Sequence, residues 1–299
     1  MRVTNKLMAD TVFRNLSSHT ERLFHIQNMI SSGKRINKPS DDPIGIARVL
    51  GYRKTISSID QYSRNIAHGK SWLSLADSTL GSVDTLLIRA KEVAVYQATE
   101  TSSPETRLIA AEEVRNIYEQ IMQLSNTKSG NSYIFSGHKT DTASFSYDAD
   151  YNANYAGDSG DIKVLVGEEI GISININGRD TFQSGDGNGG CIFQVLKDLK
   201  DGLEANDTSQ ISEQVDLLSD SLNQVLKKRA ELGARINRLE STESYWVDFK
   251  LNVQESLVET EDVDLTQVIA DLMSQQTAYQ ASLNAAGKVI QPSLIDFLR

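Results

Sequence analysis

Long stretches of this chain carry apolar residues at alternating spacings of three and four, and this pattern constrains the fold more than any other feature. It runs without a break over residues 59–94, and over residues 211–257 with Arg229, Glu243 and Lys250 at three of its positions. Such spacing places the apolar side chains on one narrow stripe of an α-helix, as in a coiled-coil seam. A helix over residues 43–99 would be about 80 Å long at about 1.5 Å per residue. The two long helices are expected to pack together as a rod.

Both ends of the chain carry the same alternation. Residues 1–40 contain seven basic and two acidic side chains, whereas residues 258–299 contain six acidic and two basic ones, so opposite charge favours their pairing. The N-terminal stripe contains Ala9, Val12, Leu16, His19, Leu23, Ile26, Ile30 and Gly33. The C-terminal stripe contains Leu265, Ile269, Leu272, Gln276, Tyr279, Leu283, Ala286, Ile290, Ser293 and Phe297. The sequence therefore predicts a pair of terminal helices.

This terminal pair has two interpretations. One is an intramolecular hairpin, but His19, Gln276 and Ser293 interrupt the seam, and two lone helices are marginally stable. The other, which we favour, is that neighbouring copies complete the pair in an assembly. The residues expected at that assembly interface are Val12, Leu16, Leu23, Ile26, Ile30, Leu265, Ile269, Leu272, Tyr279, Leu283, Ile290 and Phe297.

Simple energetics favour the second interpretation. About ten stripe residues per terminal helix contribute up to about 1.5–3 kcal/mol each if fully covered, whereas ordering about eighty residues costs about 1–2 kcal/mol each. Pairing alone is therefore unfavourable, and assembly is expected to be cooperative because neighbours must add buried area. Removal of residues 265–299 is expected to abolish assembly and to leave a folded, helical monomer.

Composition limits the class of protein. The chain has 299 residues, of which 39% are hydrophobic and 23% charged, as in a soluble protein of two or three domains. Its apolar runs are too short for a membrane span, and its first residues lack the apolar segment of a signal peptide. A net charge of −10 argues against nucleic acid as the main partner. Cys191 is the single cysteine, so an internal disulfide framework and a cysteine-rich zinc site are excluded.

The segment after the first helix is expected to be a turn-rich connector. Gly33 fits a left-handed helix end, Ser40 or Asp41 is placed to cap the next helix, and Pro43 suits its first turn. The basic side chains of this connector could bind phosphate or an acidic surface of a neighbouring copy, or they could be solvated. A start signal at residues 102–105 predicts an antiparallel return helix.

The helical period is lost over residues 130–189. Short β-rich runs at residues 133–135, 144–147, 162–166 and 170–176 predict strands, and Asn177-Gly178 predicts a tight turn. The predicted fold is mainly α, a long antiparallel helical rod with paired terminal helices and a small inserted β-rich domain. The predicted domains are the terminal helices (1–42 and 258–299), the rod (43–129 and 190–257) and the β-rich insert (130–189).

Several strings resemble functional motifs but have a simpler explanation. Residues 185–190 match G-x-G-x-x-G, yet no second strand follows to complete a dinucleotide-binding unit, so a flexible hinge is favoured. Residues 148–152 begin like a calcium loop that then lacks its glycine and its glutamate. The histidines are scattered and no catalytic motif is found, so neither an enzyme nor a cofactor is expected. Trp246 is interpreted as a core anchor, and Arg229, Glu243 and Lys250 on the rod stripe are interpreted as fixing register.

Short strings spread over the whole chain carry a family resemblance. They are residues 1–4 (MRVT), 30–36 (ISSGKRI), 41–43 (DDP), 133–137 (YIFSG), 155–158 (YAGD), 229–240 (RAELGARINRLE), 279–283 (YQASL) and 293–298 (SLIDFL). Together they resemble the bacterial flagellar hook-associated protein 3 family, which is related to flagellin. Flagellin usually follows the Asp pair with alanines and ends differently, so Pro43 and residues 296–298 favour the junction family. Pro292 should kink or end the last helix near Ile290.

The resemblance implies a structural role at the hook–filament junction. Family members form a ring of subunits that joins hook-associated protein 1 to the flagellin filament, with the terminal helices inside and the β-rich domain outside. They are extracellular and leave the cell through the flagellar type III apparatus, without a cleaved signal peptide, with a dedicated chaperone on the C-terminal region. The partners implied are other copies of the chain, hook-associated protein 1, flagellin and that chaperone. Flagellin, the filament subunit, remains the alternative function.

Overall fold

The structure is a computed structural model that describes residues 5–99, 102–183 and 191–290. The helices are α1 Asn5–Ser32, α2 Pro43–Gln97, α3 Pro104–Ser125, α4 Gly178–Phe182, α5 Ile192–Glu204, α6 Thr208–Glu261 and α7 Leu265–Ile290. The predicted terminal, long and return helices are thereby confirmed. Within the described ranges, every helix is too short or too polar to cross a membrane.

The strands are short and form three separate two-stranded antiparallel pairs, β1 with β2, β3 with β4 and β5 with β6. Their bounds are β1 Lys128–Ser129, β2 Ser132–Tyr133, β3 Phe145–Tyr147, β4 Ala153–Tyr155, β5 Lys163–Leu165 and β6 Gly171–Ser173. The strand predicted over residues 170–176 is shorter, since β6 ends at Ser173. Ile172, Ile174 and Ile176 are buried as expected, but Asn175 is also buried and Ile170 is exposed. The prediction of a tight turn at Asn177-Gly178 is wrong: the Asn177 side chain accepts a hydrogen bond from the Arg179 amide and caps α4.

The chain divides into two compact units. We call Met1–Ser58 with Asp248–Arg299 the terminal unit, and Ile59–Val247 the central unit. In the central unit, α2 and α6 bury the predicted stripes, including Leu73, Leu80 and Leu87 on α2 and Leu218 and Leu232 on α6. Close packing of α3 against α5 completes the helical part of this core.

The hairpins share the core of these helices. Phe135 and Phe145 from the hairpin region pack edge-on against Phe182 of α4, and Phe145 also contacts Phe193 of α5. All four rings are buried. Aromatic pairs of this kind add about 0.5–1.5 kcal/mol each beyond the area they bury. The hairpins are therefore held to the helices by an aromatic cluster.

Trp246 is a structural anchor, as predicted. Its indole Nε1 donates a hydrogen bond to the Val166 carbonyl oxygen at 2.6 Å, and its ring lies 5.2 Å from the ring of Tyr62. The residues of the calcium-like string also have a structural role. The Asp148 carboxylate accepts hydrogen bonds from the amides of Asp150 and Asn152, which closes the turn between β3 and β4. The glycine-rich string at residues 185–190 lies outside the described residues.

A cation lies in the seam between the two long helices. The Arg229 Nε donates to Asp77 Oδ1 at 3.0 Å, and its Nη1 lies 3.8 Å from Asp84 Oδ2. Both carboxylates are on α2, about two turns apart, so they contact one guanidinium of α6 from either side. Similarly, the Lys70 Nζ of α2 lies 2.9 Å from Glu243 Oε2 of α6. These ion pairs favour one register of α2 against α6. This agrees with the register role that the sequence suggests for Arg229 and Glu243.

Substitution Arg229→Met is expected to lower the free energy of unfolding of the central unit by about 1–2 kcal/mol, because Asp77 and Asp84 then face each other without a cation. Urea unfolding followed by circular dichroism measures the change. Lys227→Met is the matched control, since Lys227 is an exposed neighbour on the same helix with the same charge. Adding Asp84→Asn to Arg229→Met should recover part of the loss, and no recovery would contradict the explanation.

Candidate assembly surface

The terminal unit contains the predicted pair of helices, because α1 packs closely against α7. The α1 residues predicted for the interface all lie on the packed face: Val12, Leu16, Leu23, Ile26 and Ile30 are half-buried. Their neighbours on other faces of α1 are largely exposed. The side of α1 that packs on α7 is therefore the side predicted from its apolar stripe.

On α7 the packed face differs from the predicted stripe. Val268 and Ala286 are buried, and Leu272, Gln275, Ala278, Tyr279 and Ser282 are half-buried, so these seven residues form the face toward α1. Of the predicted residues, Leu272 and Tyr279 belong to this face. Leu265, Ile269 and Leu283 do not, and each remains exposed. Ile290 is the last residue of α7, and Phe297 lies outside the described residues.

The physical reason is that α7 is apolar on two adjacent sides. At about 100° per residue, the side with Leu265, Ile269 and Leu283 lies about 80° around the helix from the packed side. The predicted stripe runs along the border between these two sides, because it combines Leu265, Ile269 and Leu283 with Leu272 and Tyr279, so spacing alone does not choose between them. The seam is also polar at one point, where Gln275 Nε2 and His19 Nδ1 are 2.7 Å apart. Pairing thus leaves one apolar side of α7 uncovered in the isolated chain.

We call this uncovered side the α7 ridge and define it by Leu265, Ile269, Met273 and Leu283. Between 42% and 65% of each of these residues is exposed. Met273 is the most exposed, and stripe analysis missed it because it falls between two stripe positions. On α1, Phe13 and Phe24 are also exposed, and they too lie outside the predicted stripe. Large apolar side chains at solvated helix positions are the sequence signal for such a surface.

The connector between α1 and α2 is fixed to the end of α6. The Arg35 amide donates to the Glu261 carbonyl oxygen at 2.7 Å, and the Val263 amide donates to the Gly33 carbonyl oxygen at 3.1 Å. The Glu261 carboxylate is buried between two cations, with Lys34 Nζ at 2.7 Å and the Arg53 guanidinium also in contact. We call these contacts the clasp. The basic side chains Lys34 and Arg35 thus bind this chain's own α6, since the Arg35 guanidinium also donates to the Thr260 carbonyl oxygen.

The residue that caps α2 differs from Ser40 and Asp41, the two predicted from the sequence. Asp42 caps the helix, with its carboxylate accepting from the Gly45 amide at 2.8 Å. Pro43 is the first helical residue, so the residue directly before it takes the cap position. Asp41 instead accepts from the amides of Asn37 and Lys38 inside the connector. These backbone hydrogen bonds lower the pKa of both carboxyl groups.

In the central unit, the structure brings together two of the strings that carry the family resemblance, YIFSG and YAGD. The Asp158 carboxylate accepts from the amides of His138 at 2.7 Å and Gly160 at 3.0 Å, and these bonds lower its pKa. The Tyr155 hydroxyl lies within 3.0 Å of the carbonyl oxygens of Phe135 and Asp158. Burial raises the pKa of Tyr155 to about 12. We call this interlocking of the two strings the loop lock.

A third string, RAELGARINRLE, supports the same region from α6. The Arg235 Nη1 donates to the Asn175 carbonyl oxygen at 2.8 Å, and its other nitrogen pairs with Glu231. Leu232 and Leu239 of this string are buried in the rod core. These three strings therefore make structural contacts that hold the hairpins to the rod.

Comparison with known proteins places this architecture in a class. Residues 3–140 match the bacterial flagellin N-terminal helical region, and residues 215–298 match the bacterial flagellin C-terminal helical region. The chain is 27% identical to the flagellin of Bacillus subtilis (strain 168), over 94% of each chain. It is therefore a flagellin-related protein.

Its family within that class follows from a second relative. The chain is 30% identical over 306 residues to the flagellar hook-associated protein 3 of Escherichia coli (strain K12), covering 95% of this chain and 96% of the relative. The chain belongs to the flagellar hook-associated protein 3 family. The crystal structure of the flagellar junction protein FlgL from Legionella pneumophila has the same fold, with a TM-score of 0.60 at 17% identity over 71% of this chain and 100% of that one.

Proposed function

We propose that this chain is a structural subunit of the bacterial flagellum that forms the hook–filament junction. Family membership supports this role, since the Escherichia coli relative is a flagellar hook-associated protein and the Legionella pneumophila neighbour is a flagellar junction protein. The relatives are named for structural parts of the flagellum. The chain would act by self-assembly into a ring, without catalysis and without a cofactor.

The observation that carries the proposal is the α7 ridge. Its four large apolar side chains are exposed although the other side of the same helix is already packed on α1. Covering the exposed part of such a side chain contributes about 1 kcal/mol, so a contact repeated around a ring becomes substantial. Phe13 and Phe24 of α1 offer a second apolar side to a neighbour. The assembly interface would therefore include the α7 ridge, which contains the predicted residues Leu265, Ile269 and Leu283, together with the other predicted residues and the exposed phenylalanines of α1.

The proposed partners follow from the place of the ring. Other copies of the chain would cover the terminal helices, hook-associated protein 1 would lie on the hook side, and flagellin on the filament side. Before assembly, an export chaperone would cover the C-terminal region, because an exposed apolar ridge favours aggregation. The assembled protein would be extracellular, after export that needs no cleaved signal peptide.

Flagellin is the second candidate function. The observation in its favour is the 27% identity to Bacillus subtilis flagellin over nearly the whole of both chains. The two functions differ in the product of assembly. A filament subunit polymerises into long filaments, whereas a junction subunit caps the hook and allows flagellin to polymerise on it.

The test is complementation of a bacterial strain that lacks its own copy of this chain. Such a strain is expected to keep its hooks and to shed unpolymerised flagellin into the medium. The full chain should restore filaments, and a chain that ends at residue 264 should not, although it should remain helical by circular dichroism. Filaments restored by the shortened chain would contradict the role of α7. Long filaments formed by the purified full chain alone would favour flagellin.

A further inference from the structure

We propose that the clasp holds the inner ends of α1 and α7 together whether or not these helices are paired, so that the terminal pair opens and closes on a fixed base. The residues of this base are Gly33, Lys34 and Arg35 on one side and Glu261 and Val263 on the other. It would be a conformational device of the monomer, separate from the assembly contacts of the proposed function.

The contacts at the clasp differ in kind from those along the helix pair. At the clasp, two backbone hydrogen bonds tie the connector to the end of α6, and a carboxylate that is only 4% exposed lies between two cations. Along the pair, the α1 side chains at the seam are half-buried. A buried carboxylate that loses its cations is strongly unfavourable, whereas half-buried apolar contacts can be exchanged for similar ones. The clasp should therefore open less readily than the seam.

The connector is itself fixed in position, as a stationary support for the terminal helices must be. Ile36 is 2% exposed, and its side chain packs so closely on Gly45 of α2 that it would overlap a Cβ atom at that position. The Asp41 carboxylate holds two connector amides, and Asp42 caps α2. The connector is thus joined to α2 at its far end, as it is joined to α6 by the clasp. Its position does not depend on the seam between α1 and α7.

A fixed base changes how the terminal helices pair. Without the clasp, the inner end of α1 would be free to move on its connector, and pairing α1 with α7 would also have to order that connector. With the clasp, Gly33 and Val263 are hydrogen-bonded, so the helices begin to pair from a point where they already touch. The register of α1 against α7 is then set from the inner end. The helices could separate to contact neighbouring copies and pair again in the same register.

Hydrogen exchange of the dilute full-length protein, read by mass spectrometry of peptides, tests the proposal. Peptides that cover residues 33–36 and 261–263 are expected to exchange at least about tenfold more slowly than peptides from the outer halves of α1 and α7. The variant Glu261→Gln should accelerate exchange at the clasp by about tenfold and along the whole of both terminal helices. Glu259→Gln is the matched control, because Glu259 is exposed on the same helix and loses the same charge.

Two results would overturn the proposal. One is wild-type clasp peptides that exchange as fast as the outer seam, and the other is acceleration by Glu261→Gln that stays confined to the clasp peptides. Peptides from α3 report whether the central unit remains folded in the variant. If it does not, the wild-type exchange rates alone decide. The measurement uses monomers, so its outcome is independent of where the protein assembles.

Discussion

Replacing Ile269 and Leu283 by aspartate is expected to abolish assembly while leaving a folded, helical monomer. Both side chains are exposed in the isolated chain, at 43% and 42%, so their loss removes few internal contacts. In an assembly they would be covered, and each aspartate would place an unpaired carboxylate in an apolar contact. Such a group costs several kcal/mol unless it is paired, and the cost recurs at every interface of the ring.

The measurement combines complementation with spectroscopy. The double variant should fail to restore filaments in a strain lacking the native copy, and flagellin should again appear in the medium. Circular dichroism and thermal unfolding of the purified monomer should match the wild type closely. The control is Ser274→Asp with Ala281→Asp, because these residues are exposed on the remaining side of α7 and add the same charge. If both double variants restore filaments, the ridge is not an assembly contact.

Sequence patterns were sufficient for the two long helices of the rod because each of their stripes has one period and one side. Gly33 is an example of a correct local prediction: its φ of 69° ends α1 in the left-handed region. The β-rich segment was harder to predict. Its strands are only two or three residues long, and the loops beside them accept hydrogen bonds from distant residues such as Trp246 and Arg235. No local pattern reports such contacts.

The face on which α1 and α7 pair could be predicted only in part. On α1 the apolar stripe is single, and the predicted residues are those that pack. On α7 two adjacent sides are apolar, and the choice between them depends on the partner helix and not on the sequence of α7. The Glu261 clasp was missed for a similar reason, because Lys34, Arg53 and Glu261 come together only when residues far apart in sequence meet.

Replacing Gly137 by alanine is expected to destabilise the central unit by about 3 kcal/mol or more, because it combines two separate costs. The φ of Gly137 is 70°, and a Cβ atom there would overlap both the carboxylate and the carbonyl oxygen of Asp158 in the loop lock. Gly130→Ala is the matched control, since its φ is 61° and a Cβ atom there would have open space around it. The control should lose only about 1 kcal/mol, the cost of a left-handed backbone for alanine. Urea unfolding of both variants separates the overlap from the backbone strain, and equal losses would show that the close approach of the two loops is unimportant.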